Sequence, residues 1–154
     1  MKLTHLYLKQ LRERESFYMS VKIKNSIENF KKAYTKLEEY LALPIENDRD
    51  RSGIIKAFEF TFELAWKTFQ KVAVDEGLEA GGPKSSLKQA FKLNIISNDQ
   101  ESHWLQMLDD RNLMSHTYRD QLSKMVVDRI QNQHKASLNK VLKTLDQKFN
   151  QDED

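Results

Sequence analysis

The sequence predicts an all-α protein, an antiparallel four-helix bundle with one short extra helix. Three observations predict it. Apolar residues recur at spacings of three and four over long stretches, and nowhere alternate with polar ones as in a half-buried strand. Four Gly and two Pro in 154 residues are too few for the turns of an all-β fold. Finally, the long segments are joined by short connections, which makes successive helices antiparallel neighbours.

The length suits a single domain with a sizeable core. Residues 1–18 read as an N-terminal extension, 19–149 as the compact helical domain, and 150–154 as a polar, disordered tail. Within the extension, Leu3, Tyr7, Leu8 and Leu11 suit a short amphipathic helix, which the charged run Arg12 to Ser16 interrupts.

From residue 20 to 43, Ile23, Ile27, Phe30, Tyr34, Leu37 and Leu41 form a narrow seam with Lys and Glu between them, and Pro44 stops the helix. The second helix starts near Arg51 or Ser52 and runs to about Asp75. It is the most apolar segment, carrying Ile54, Ile55, Phe58, Phe62, Ala65, Trp66, Phe69, Val72 and Ala73. Phe60, Leu64 and Val74 widen its stripe, so this helix is expected to bury more than one side or to leave a patch for dimerisation. Glu59 and Glu63, four apart, read as a polar stripe or an interface; no histidine stands at metal-ligand spacing from them. Gly77 is the expected C-cap.

Gly81-Gly82-Pro83-Lys84-Ser85-Ser86 has the composition of a phosphate-cradling loop. It lacks the required glycine spacing and follows a helix, so it reads as a helix start, with anion binding the lesser alternative. That short third helix carries Leu87, Ala90 and Phe91 and ends near Asn94. Asn98 and Glu101 suggest a capping box opening the fourth helix, whose core face is Trp104, Leu105 and Leu108, with Met107 alongside. The last helix, about 121–149, places Leu122, Val126, Ile130, Leu138, Val141, Leu145 and Phe149 in register. His103 and His134 read as lone histidines on polar faces.

Net charge is +2, too mild to imply nucleic-acid binding, though a local basic patch is compatible with it. With no Cys there is no disulfide or thiolate metal site, and a reducing cytoplasm is expected. No run of residues suits a membrane span or a secretory leader. No metal and no cofactor are expected.

The chemistry gathers in Arg111-Asn112-Leu113-Met114-Ser115-His116-Thr117-Tyr118. On a helix Arg111, Ser115 and Tyr118 share a face, whereas His116 lies about 140° round and about 7.5 Å along from Arg111. Arg111 and His116 therefore meet on one bound group only if the helix loosens or a second subunit contributes. Arginine presents a fixed fork to a phosphate, and histidine moves a proton near neutral pH. Asn112 lies on the His116 side and suits orientation of imidazole or substrate; Ser115 and Thr117 are weaker candidates for the same work. The plainer alternative is a helix end whose Arg and His cap carbonyls or pair with Asp109 and Asp110.

Three segments taken together, Gly53 to Lys67, Gly82 to Phe91 and Trp104 to Tyr118, resemble the nucleotidyltransferase substrate-binding proteins, a branch of the HEPN superfamily of helical bundles. The similarity covers roughly residues 20 to 145. It implies a HEPN-like fold, a cytoplasmic homodimer and a minimal nucleotidyltransferase encoded nearby. In the wider superfamily the Arg and His of this motif form a metal-independent ribonuclease site across a dimer, which puts those roles on Arg111 and His116. In its toxin–antitoxin branch the partner adenylylates the motif tyrosine (AMPylation), here Tyr118, and silences the nuclease. Other members are non-catalytic substrate-binding subunits. The resemblance thus carries two functional expectations, an RNA-cleaving toxin and a subunit that presents substrate.

Overall fold

The computed structural model describes residues 2–116 and 119–150, and among these all regular structure is helical. The order is α1 Lys2–Leu41, α2 Asp48–Asp75, α3 Pro83–Lys92, a 3₁₀ turn Asn98–Gln100, α4 Glu101–His116, α5 Asp120–Arg129, a π turn Ile130–His134 and α6 Lys135–Phe149. The π turn joins α5 to α6 without a break in helical backbone, so α1, α2, α4 and the α5–α6 rod make the four-helix bundle. α3 is the short extra helix.

The seam read from the sequence is the core. Ile23, Ile27, Phe30 and Leu37 of α1 are fully buried against Phe58, Phe62, Ala65 and Phe69 of α2. Trp104 enters from α4, its ring 6.2 Å from Phe62 and edge-on at 5.2 Å to Phe69. Val126, Ile130, Leu138 and Leu145 close the far side. The expected fold class holds.

Local chemistry sets the ends. The Asn47 side chain accepts from the Asp50 N–H at 3.1 Å, and the Asp50 carboxylate accepts from the Glu46 N–H at 2.8 Å, so α2 begins at Asp48, earlier than expected. Gly77 has φ +76°, and the Leu78 N–H reaches the Ala73 carbonyl at 2.8 Å, a Schellman stop. Asn94 (φ 58°) ends α3 the same way and turns Ile95 and Ile96 into the core.

Three expectations are corrected. Leu105, expected on the core face of α4, is 44% exposed, whereas Met107 is fully buried. α1 passes through Arg12 to Ser16 unbroken, because alternating Arg and Glu are sound helix formers and exposed here. The Asn98–Glu101 capping box is absent: Ser97 precedes a 3₁₀ turn in which the Asn98 carbonyl already accepts from the Glu101 N–H. Residues 151–154, expected to be a disordered tail, lie outside the described residues.

Candidate functional site

α4 stays helical to His116, so the separation read from the sequence persists: Arg111 and His116 leave one helix on different sides. Arg111 turns toward α2, where its Nη2 lies 3.6 Å from the Glu63 carboxylate. Its Nη1 donates to the Asn112 side chain at 3.1 Å. Ser115 donates back to the Arg111 carbonyl at 2.9 Å and is exposed, as are Asn112 and His116. Asn112, expected to orient either the imidazole or the substrate, engages Arg111 here. Tyr118, the expected modification site, lies outside the described residues, as does Thr117.

The carboxylates read as a polar stripe border this site. Glu63 also accepts from the Trp66 indole at 3.0 Å and pairs with Lys67 at 3.4 Å. Glu59 is pushed above the usual carboxylate range by burial, which the Lys56 and Arg111 charges only partly offset. The i, i+4 spacing of these two residues was the available signal; their partner on α4 is a tertiary fact.

Beneath the motif lies a cluster that sequence reasoning missed. Asp110 is 1% exposed and does not pair with Arg111. It accepts from Arg129 Nε at 2.9 Å, from His134 Nε2 at 2.7 Å and from Gln106 at 3.1 Å. Burial pushes its carboxyl up, but the His134 and Arg129 hydrogen bonds and charges outweigh that and hold it below the usual range. His134, expected on a polar face, is fully buried and stacked 5.4 Å from Phe58, and its Nδ1 has no hydrogen-bond partner among the described residues. The cluster ties the last turns of α4 to the π turn. Among the described residues no group of three His, Asp or Glu is placed to hold a metal ion.

At the start of α3, Ser85 Oγ accepts from the Gly81 and Gly82 N–H groups at 2.9 and 3.1 Å. Those donors are satisfied within the chain, which supports the helix-start reading of that loop. No described helix is long and apolar enough to cross a membrane.

Comparison with known proteins adds three findings. The model of the family described as nucleotidyltransferase substrate-binding protein like matches residues 25–147. A Haemophilus influenzae protein named probable ribonuclease HepT is 33% identical over 81 residues, 49% of this chain and 53% of that one. The chain therefore spans about half the length of this curated relative. A crystal structure of a Thermus thermophilus protein superposes with a TM-score of 0.68 at 31% identity, covering 75% of this chain and 98% of that one.

Proposed function

The chain belongs to the nucleotidyltransferase substrate-binding protein family, and from that premise we propose that it is the HEPN-type partner subunit of a minimal nucleotidyltransferase, with a metal-independent ribonuclease site in Arg111 and His116. The observation that carries this reading is the placement of the motif. Arg111 and His116 stand on the exposed end of α4, and the buried Asp110 cluster fixes that end from below.

The chemistry requires a base to take the 2′-hydroxyl proton, so that the 2′-oxygen bonds to phosphorus. It also requires an acid to protonate the departing 5′-oxygen, and a cation for the crowded phosphate. Arg111 supplies the cation. One imidazole serves as base or acid in a given step, not both, and His116 leaves α4 on another side from Arg111. Two copies facing one cleft provide both imidazoles and bring an arginine to each phosphate. A homodimer is thus part of the proposal, as is AMP transfer to Tyr118, which would set a phosphate against the guanidinium an RNA phosphate needs.

The test is RNA cleavage by the purified protein in EDTA. Cleavage lost in His116→Ala, and severely reduced in Arg111→Lys because a point charge does not replace a planar fork, is the expected result. Cleavage unchanged in either variant, or strictly dependent on added metal, overturns it. For the switch, intact mass after incubation with the nucleotidyltransferase and ATP is expected to rise by one AMP, and not in Tyr118→Phe. The second reading, a non-catalytic subunit that presents substrate, is favoured by one observation: Arg111 is already engaged by Glu63. A wild-type protein that binds but never cuts RNA would select it.

A further inference from the structure

Between α1 and α2 runs a line of positive charge that the motif chemistry does not use. On α1, Lys22, Asn25, Asn29, Lys32 and Lys36 follow at spacings of three and four and so share one side of the helix. α2 presents Phe60, Leu64, Lys67 and Lys71 at similar spacings. These rows border two adjoining cavities that share Asn29 and Leu64. One, of about 460 Å³, lies at Lys32 and Lys36; the other, of about 310 Å³, lies at Lys22, Lys67 and Lys71. From Lys22 to Lys36 the groove runs roughly 21 Å at the helical rise.

Among the described residues no carboxylate lines either cavity. Glu63 pairs with Lys67 but is shared with Arg111 and Trp66, and Glu39 touches Lys36 only loosely, at 3.9 Å on the open surface. Partial burial and the like charges of Lys67 and Lys22 lower the pKa of Lys71. The groove floor is apolar, with Phe60 59% exposed. An aromatic ring stands beyond each end of the α1 row: Lys22 lies 4.6 Å over Tyr18 and Lys36 5.6 Å over Tyr40.

We propose that this groove binds the phosphate backbone of a single-stranded RNA. Lysines are point charges that hold phosphates without reading sequence, asparagines add donors, and exposed rings offer faces for unstacked bases. A second copy is a poor occupant, because two-fold pairing would set lysine row against lysine row. Glu63 contacts Lys67 on the groove side and Arg111 on the motif side, so a strand in the groove lies beside the motif. The ligand class rests on the ribonuclease reading, but binding is measured apart from cleavage.

The experiment is fluorescence anisotropy of the full chain with a labelled 2′-O-methyl oligouridylate of about 12 nucleotides, which 2′-hydroxyl chemistry cannot cut. The Lys22→Gln/Lys67→Gln/Lys71→Gln variant is expected to weaken binding at least about tenfold and to flatten the log-affinity against log-salt slope by about two, three contacts at roughly 0.7 each. Lys32→Gln/Lys36→Gln, at exposed positions that folding does not need, is expected to flatten the slope by about 1.4. Lys140→Gln, whose ammonium sits on Asp99 at 3.1 Å, is the control and is expected to leave both unchanged. Unchanged affinity and slope in a groove variant that keeps its cooperative melt overturns the proposal. So does a polyglutamate peptide of equal charge that competes as well as the oligonucleotide, which would assign the groove to an acidic protein surface. Groove-dependent binding with no cleavage of ordinary RNA would sink the nuclease reading and leave this site standing.

Discussion

Asp110 is almost wholly buried and is held in its charged form by Arg129 and His134. Breaking such a cluster leaves the remaining partners without their counter-charge, so Asp110→Asn is expected to cost on the order of 3 kcal/mol in urea denaturation. The pH dependence follows from the depressed carboxyl. Its contribution is complete above the unfolded pKa near 3.9 and is lost as pH falls through the lower folded value. Stability of the wild type therefore declines below about pH 4, and Asp110→Asn flattens that limb. Glu63→Gln is a contrasting change at a partly exposed pair. It is expected to shift stability by less than about 1 kcal/mol while freeing Arg111, so RNA cleavage on the proposed reading rises instead of falling. His134 shows what was legible at this scale and what was not. The series Leu122, Val126, Ile130, Leu138 steps by four with one gap, and His134 fills it. Its place on the core face could be read from that register. Its partner could not, since Asp110 is 24 residues away and only packing brings the two together.

A series spaced by four drifts about 40° per step on a regular α-helix. The π turn Ile130–His134 takes up that drift, because its wider i→i+5 turn holds one residue more and returns Leu138 to the core. Deleting exposed Gln131 should therefore convert the π turn to α while keeping both flanks in register, at a cost of less than about 3 kcal/mol and with a cooperative melt. Deleting exposed Lys140 instead rotates the buried residues Val141, Leu142 and Leu145 about 100° off the core, and is expected to abolish cooperative melting by circular dichroism. Element existence and type were readable from periodicity, and the Gly77 stop from one residue. The π turn was not, since its cause is a mismatch summed over four turns. Nor was the continuity of α1, where a run of charge suggests a break although Arg and Glu propagate helices well.

The bundle as a whole leaves Arg111 and His116 on separate sides of α4, so the proposed site shared between copies would be a property of the assembly. If one cleft draws on both imidazoles, subunit exchange of equal amounts of wild-type and inactive His116→Ala protein should leave roughly a quarter of wild-type cleavage per dimer, because only the dimers with two wild-type chains cut. Retention of about a half would place a complete site in each chain. The fold class and the motif were legible in the sequence because both are local patterns; the lysine groove was not, because its two rows lie on different helices and the net charge conceals them. The length of α1 also governs how the molecule moves. The helix is roughly 60 Å long, none of its residues before Ile23 is buried, and Leu3 is 83% exposed. Residues 2–18 project like a mast roughly 25 Å long, and hydrodynamic drag on such a mast grows far faster than its mass. A single copy will tumble slowly and leave a sizing column early, at the volume of a compact dimer, so the mass has to be taken from scattered light and not from elution.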